Sequence, residues 1–257
     1  MVIRRIRQHI ETHNWFAVTI DLAIVIVGVF LGAQANNWNE RRIEQAQSVS
    51  YRNRLIDELD FNARQFAGQI AYYEQVKEHA LATMGALRTP SRLSGRDFLI
   101  VAYQSTQIDI TPAKRFIYDE MVASGLVDRL GSERLQAEAS DYYLGNEGIE
   151  RTYGEVPPYR ALMRTLIPHD VQAQIRGQCG DRNVMHQGRV IASALPHRCE
   201  VSFPPEAVAA GMARIQRESR LDDELNRYLS WLNEKIGGLA QQHDQTYTLR
   251  RALISAL

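Results

Sequence analysis

The stretch from Trp15 to Trp38, WFAVTIDLAIVIVGVFLGAQANNW, constrains this chain more than any other. Its two tryptophans stand 23 residues apart, about 35 Å along a helix at roughly 1.5 Å per residue. That separation suits two aromatic anchors on opposite faces of a hydrocarbon layer about 30 Å thick. Between Phe16 and Ala33 every residue is apolar or small except Thr19 and Asp21. The expectation is one transmembrane helix over 15–38, preceded by a short cytoplasmic segment, 1–14.

A secretory leader is the competing reading. Arg4, Arg5 and Arg7 make a basic front, Leu22 to Ala33 is an apolar run, and Ala33-Gln34-Ala35 has an A-x-A cleavage pattern. The apolar character already begins at Trp15, however, and an acid at Asp21 is out of place in a leader core. We therefore expect a retained anchor, with cleavage at Ala35 and a secreted helical protein as the alternative. Three arginines precede the span, whereas Arg41 and Arg42 follow it beside Glu40 and Glu44. Together with the cysteine pair described below, this favours a cytoplasmic N-terminus and a periplasmic domain in a bacterial inner membrane.

A carboxylate at the centre of a span costs about 2.5–3.5 kcal/mol, and less where Asp21 sits, nearer one end. At 100° per residue Asp21, Val25, Gly28, Gly32 and Ala35 share one stripe. Gly28-x-x-x-Gly32 lets two helices approach closely. The stripe reads as a helix–helix interface with Asp21 facing a partner, the plainer reading being a headgroup-level acid and ordinary span glycines. Trp15, Asn36, Asn37, Trp38 and Asn39 are expected at the membrane interface, with the bilayer as the first partner.

The remainder is long enough for one good-sized core or two small ones. Formal net charge is zero, so nothing in the bulk charge points to nucleic acid. Lysine occurs only at Lys77, Lys114 and Lys235. The two cysteines, Cys179 and Cys199, are the chain's only thiols and suit a disulfide in an oxidising compartment. Zinc ligation by Cys179, His186, His197 and Cys199 has poor spacing, with no close pair of ligands. No metal and no cofactor are expected.

The pattern after the span is all-α. Leu59, Ala63, Phe66, Ile70, Tyr73, Ala80, Met84 and Leu87 recur at three- and four-residue steps, interrupted by Lys77. They mark a helix of about 45 residues with a coiled-coil-like seam, ending before Pro90. Arg96 to Thr106 is expected to be helical. Thr111-Pro112 is expected to cap and open the next helix, with Phe116, Ile117, Met121 and Val122 on its apolar face and its end at Ser124-Gly125. Ser132 starts a helix to Leu144, Gly145 to Pro158 is a connection, and Arg160 to Ile167 is helical. Residues 170–205 form the least regular stretch, with room for a hairpin between Cys179 and Pro205. From Glu206 a long return helix buries Leu221, Leu225, Leu229, Leu232, Ile236 and Leu239, with Gly237-Gly238 as a place to kink.

Asn36-Asn37-Trp38-Asn39-Glu40, directly after the span, resembles a family of uncharacterised bacterial single-pass membrane proteins. Those proteins carry an acid early in the span, as Asp21 does, and an NNWNE-like exit. Tyr118-Asp119-Glu120-Met121-Val122-Ala123-Ser124-Gly125-Leu126 followed by Tyr142-Tyr143 is similar to later helices of that family. The resemblance implies an architecture and no reaction, and residues 170–205 depart from it.

No nucleotide loop, metal-binding helix or nucleophile elbow is present. Ser124-Gly125 has the look of a helix end, His169-Asp170 of a turn cap, and Asp222-Asp223-Glu224 of an acidic first turn. The expected function is a membrane-anchored structural or interaction component, as a homo-oligomer or with a membrane-protein partner. The alternative is a subunit of an ion- or proton-coupled complex using Asp21. An enzyme of unrecognised type comes third.

Overall fold

The computed structural model describes residues 15–256; the expected cytoplasmic segment 1–14 and the terminal Leu257 lie outside the described residues. The protein is all-α with one small hairpin. It divides into two compact units, Met1–Tyr51 and Arg52–Leu257. The longest element, helix α1, covers Trp15–Arg88. It contains an 18-residue stretch long and apolar enough to cross a membrane, none of it buried.

In the second unit α1 is followed by a 3-10 turn (Pro90–Arg92) and by α2 (Gly95–Gln104), α3 (Phe116–Ala123), a 3-10 turn (Val127–Leu130) and α4 (Glu133–Tyr153). Next come α5 (Pro158–Leu166), α6 (His169–Cys179), the hairpin β1 (Arg182–His186) and β2 (Arg189–Ala194), α7 (Pro205–Arg217) and α8 (Leu221–Ser255). Local chemistry sets several of these ends. The hydroxyl of Ser94 accepts from the Asp97 N–H at 3.1 Å, and that of Ser132 accepts from Leu135 N–H at 3.3 Å, satisfying helix-start donors that would otherwise be orphaned. Gln187 and Gly188 both have positive φ, 49° and 74°, the two-residue turn whose twist matches an antiparallel hairpin.

The return helix expected from Glu206 is split, because α7 ends at Arg217 and Glu218 is extended; its long part, α8, runs antiparallel to α1. Arg88 meets Asp222, Tyr73 meets Trp231, and Arg250 meets Asp60, so the partner number falls along α8 as it rises along α1. Its buried positions are Leu221, Leu225, Tyr228, Leu232, Lys235, Leu239, Gln242, Thr246, Leu249 and Leu253. They alternate four- and three-residue steps throughout, the 3.5-residue repeat of a coiled-coil seam.

Five further expectations are corrected. Thr111-Pro112 does not open a helix, because Asp109 captures Thr111: its carboxylate accepts from the Thr111 N–H (2.9 Å) and hydroxyl (2.7 Å), and α3 starts only at Phe116. On α3 the buried residues are Tyr118 and Met121, while Phe116 and Val122 are exposed. Helix α4 runs through the expected connection to Tyr153, and α8 is not broken at Gly237-Gly238, where the backbone approaches Tyr153 and Ile149. The stretch 170–205 is more regular than expected, since α6 fills its start and the hairpin its middle.

Residues 105–115 form no helix or strand, yet residues 102–107 and Asp109 are buried. The backbone that follows, where Thr111 and Pro112 are exposed and Lys114 and Ile117 half-buried, is met by the polar stripe Glu58, Asn62, Gln65 and Gln69 of α1. Asn62 Nδ2 donates to the Lys114 carbonyl and its Oδ1 accepts from the Lys114 N–H, both at 2.8 Å. Gln65 donates to the carbonyls of Thr111 (3.0 Å) and Pro112 (2.8 Å), and Gln69 to that of Thr111 at 2.8 Å. Glu58 accepts from the Ile117 N–H at 2.8 Å and from the Tyr143 hydroxyl at 2.6 Å. Asn62→Ala would strand both polar groups of Lys114. At about 0.5–1.5 kcal/mol for each part-buried hydrogen bond lost, the full chain in mild detergent should lose about 1–3 kcal/mol in urea unfolding followed by tryptophan fluorescence.

Candidate functional site

Three helix faces and one irregular segment converge on a cavity of about 90 Å³. Helix α1 contributes Phe66 and Gln69; α4 contributes Asn146, Ile149, Glu150 and Tyr153; α8 contributes Lys235, Leu239 and Gln242; residues 109–113 close the fourth side. The spacing on each helix is three or four residues, so each set shares one face. Phe66, Gln69, Asp109, Asn146, Lys235, Leu239 and Gln242 are buried and form the floor; Ile110, Thr111, Pro112, Glu150 and Gly154 are exposed and form the rim.

Lys235 is the unusual member. It is 7 % exposed, and among the described residues no carboxylate lies within ion-pair distance of its ammonium. Its nearest company is aromatic: Nζ is 5.6 Å from the ring centroids of both Tyr73 and Tyr153, a distance at which ring quadrupoles attract a cation. Burial pushes the Lys235 pKa down from its ordinary 10.5, with Glu150 and then Asp109 opposing the shift. Two amides beside it are also uncompensated. Both polar atoms of the Asn146 side chain, and Oε1 of Gln242, are buried without a hydrogen bond. The two acids are better served. Asp109 accepts from Thr111 and from the Ser193 N–H (3.2 Å), and Glu150 accepts from the Ala113 N–H (2.9 Å).

An aromatic cluster backs this cavity. Tyr159, Tyr228 and Trp231 stack in series, with centroids 4.8 and 5.6 Å apart, and Tyr73 and Tyr153 meet Trp231 edge-on. The Tyr73 hydroxyl donates to the Asp109 carbonyl at 2.7 Å, which ties the loop to the same cluster.

The residues singled out in the apolar stretch lie elsewhere. Asp21 is half-buried and Val25 exposed; a side chain added at Gly28 or Gly32 would meet nothing within 4 Å. Ala35 is exposed as well, so the stripe is an open face of α1. Trp15 and Trp38 are exposed. The Asn36 amide donates to Glu40 at 2.7 Å, and the Arg42 guanidinium lies 5.5 Å from the Trp38 ring; Asn37 and Asn39 are exposed. Cys179 and Cys199 are bonded to each other, their Cα atoms 5.4 Å apart. Gln104 donates to the Cys179 carbonyl at 2.7 Å, and Arg96 reaches the carbonyls of Cys199 and Val201. Among the described residues no group of three or more His, Cys, Asp or Glu could hold a metal ion.

No protein-family model, curated protein or solved structure matches the chain.

Lys235 was visible in the sequence only as one of three lysines. Its signal was positional: it stands three residues after Leu232 and four before Leu239, inside the apolar stripe. A lysine there is either wrongly placed for stability or placed for another purpose. The sign of its contribution follows from its lowered pKa. The folded state releases this proton before the unfolded state does, so stability rises as pH climbs through the folded pKa toward 10.5. At neutral pH the buried ammonium is a cost. Even a buried ion pair can be replaced by apolar side chains of similar volume at no cost or with a gain of about 1–4 kcal/mol, and among the described residues Lys235 has no ion-pair partner. Lys235→Met should therefore raise the thermal midpoint at pH 7, and the advantage over wild type should shrink as pH is raised toward 10.

Proposed function

We propose that this protein is a single-pass membrane component that anchors a helical interaction domain in the periplasm and associates through its span. What supports the anchor is one observation: α1 contains a stretch long and apolar enough to cross a membrane, none of it buried, while the same helix supplies core residues such as Leu55, Leu59 and Val76 further on. An apolar face left in water would be a liability; in lipid it is at home. The disulfide supports an oxidising compartment for the domain. The resemblance of the Asn36–Glu40 exit to bacterial single-pass proteins supports an inner membrane, and Arg4, Arg5 and Arg7 before the span together with the cysteine pair beyond it support an N-terminus in the cytoplasm. The open stripe of Asp21, Val25, Gly28, Gly32 and Ala35 supports close approach of a second helix, either from another copy or from a membrane-protein partner.

Expression in a bacterium with fractionation tests the reading. The full-length polypeptide, its mass including residues 1–35, should remain in the membrane after alkaline carbonate washing. Its two cysteines should resist alkylation until a reductant is added, and Gly28→Ile should weaken self-association in a membrane two-hybrid assay. A soluble product beginning at Asn36 would overturn the anchor.

A further inference from the structure

We propose that the cavity between α1, α4, α8 and residues 109–113 binds a small zwitterionic α-amino acid, of glycine or alanine size. The inference is independent of whether the apolar stretch is retained as an anchor.

Size comes first. A cavity of about 90 Å³ holds several waters at the roughly 10–15 Å³ of such space that one water needs, which is room for a small amino acid. The rim of Ile110, Thr111, Pro112, Glu150 and Gly154 is exposed, so the floor is within reach of solvent.

Charge then selects the class. The wall holds one cation, Lys235, and two acids, Asp109 and Glu150. A simple anion would find Lys235 but would face both carboxylates and would offer the uncompensated amide oxygens no donor. A simple cation would find the acids and amide oxygens but would leave Lys235 without an anion. A zwitterion answers both. Its carboxylate would accept from the Lys235 ammonium and an amide NH₂ of Asn146. Its ammonium would donate to Gln242 Oε1, to Asn146 Oδ1 and to the second oxygen of Glu150; only Oε1 of Glu150 is engaged, by Ala113. Apart from Asp109, the floor side chains come from the interior of long helices, where no helix terminus adds the backbone N–H groups that a phosphate would use. The Tyr153 ring beside Lys235 and the Phe66, Ile149 and Leu239 side chains give the site dry walls. Dry walls strengthen each polar contact.

The test is ligand-dependent thermal unfolding of the full chain in detergent micelles, with glycine, alanine, acetate and ethylamine as probes. Glycine or alanine should raise the midpoint saturably, and acetate and ethylamine should not. Lys235→Met, which is expected to fold at least as stably as wild type, and Gln242→Leu should each weaken that binding at least tenfold. Equal stabilisation by acetate would replace the zwitterion by a simple anion and overturn the proposal. Absence of any saturable shift with glycine or alanine in folded wild-type protein would overturn it too, leaving a hydrated cavity. Unchanged amino-acid binding in Lys235→Met would place the ligand elsewhere.

Discussion

A polypeptide segment packed on a helix without helix or strand partners of its own leaves backbone polar groups for side chains to meet, and here one face of one helix meets them. Glu58, Asn62, Gln65 and Gln69 follow one another on α1 at steps of four, three and four residues. Four side chains in line thus serve the peptide groups of Thr111, Pro112, Lys114 and Ile117. Asn62 does the most, because its amide pairs with both the N–H and the C=O of one residue, as a neighbouring strand would. The neighbouring stripe of α1 (Leu59, Ala63, Phe66 and Tyr73) is apolar and buried. One helix therefore serves two kinds of neighbour, a polar backbone on one side and an oily seam on the other.

The candidate cavity is a consequence of that arrangement. Residues 109–113 are held against α1 by the amide ladder and by Tyr73, and the Asp109 carboxylate ties Thr111 and the hairpin residue Ser193 to the same segment; they close the space that α4 and α8 leave open. The fold compensates Asp109 and Glu150 with backbone donors but, among the described residues, leaves Lys235 without a carboxylate partner and the Asn146 amide and Gln242 Oε1 without a hydrogen bond. Native cores satisfy most of their buried polar groups, so three uncompensated side chains around one cavity mark a site that gives up stability locally. The heptad seam of α8 carries the same message, since Leu232, Lys235, Leu239 and Gln242 occupy equivalent positions and only two of them are apolar.

How much of this was legible in the sequence divides along a physical line. Apolar periodicity made the long helices readable: the seam from Leu59 to Met84 and the Leu221–Leu239 stripe both lie on helices that bury those faces. The membrane-length stretch was readable from length and hydropathy alone, and the disulfide followed from having two cysteines. What was not readable depended on tertiary partners. Nothing local says that Asp109 will take the Thr111 donors and keep Pro112 out of a helix. Gly145 and Gly148 look like breakers, yet α4 continues through them because its apolar and aromatic side chains, Tyr142, Tyr143 and Ile149 among them, pack on the core. The polar stripe was present as Glu58, Asn62, Gln65 and Gln69 but was eclipsed by the apolar one beside it. Heptad positions filled by amides are as informative as those filled by leucines once the register is known.

The most direct measurement of the account is amide hydrogen exchange at Lys114 and Ile117 in the full chain in micelles. Both lie at or next to the irregular segment, and both N–H groups are bound by α1 side chains instead of a helix or sheet ladder. Exchange as slow as at the core amides of α8, such as Leu232, is the result the ladder predicts, because opening these bonds then requires the unit to open. Exchange at the rate of an unprotected loop, with α8 still protected, would show that the side-chain ladder does not hold the segment and would remove the wall on which the cavity depends.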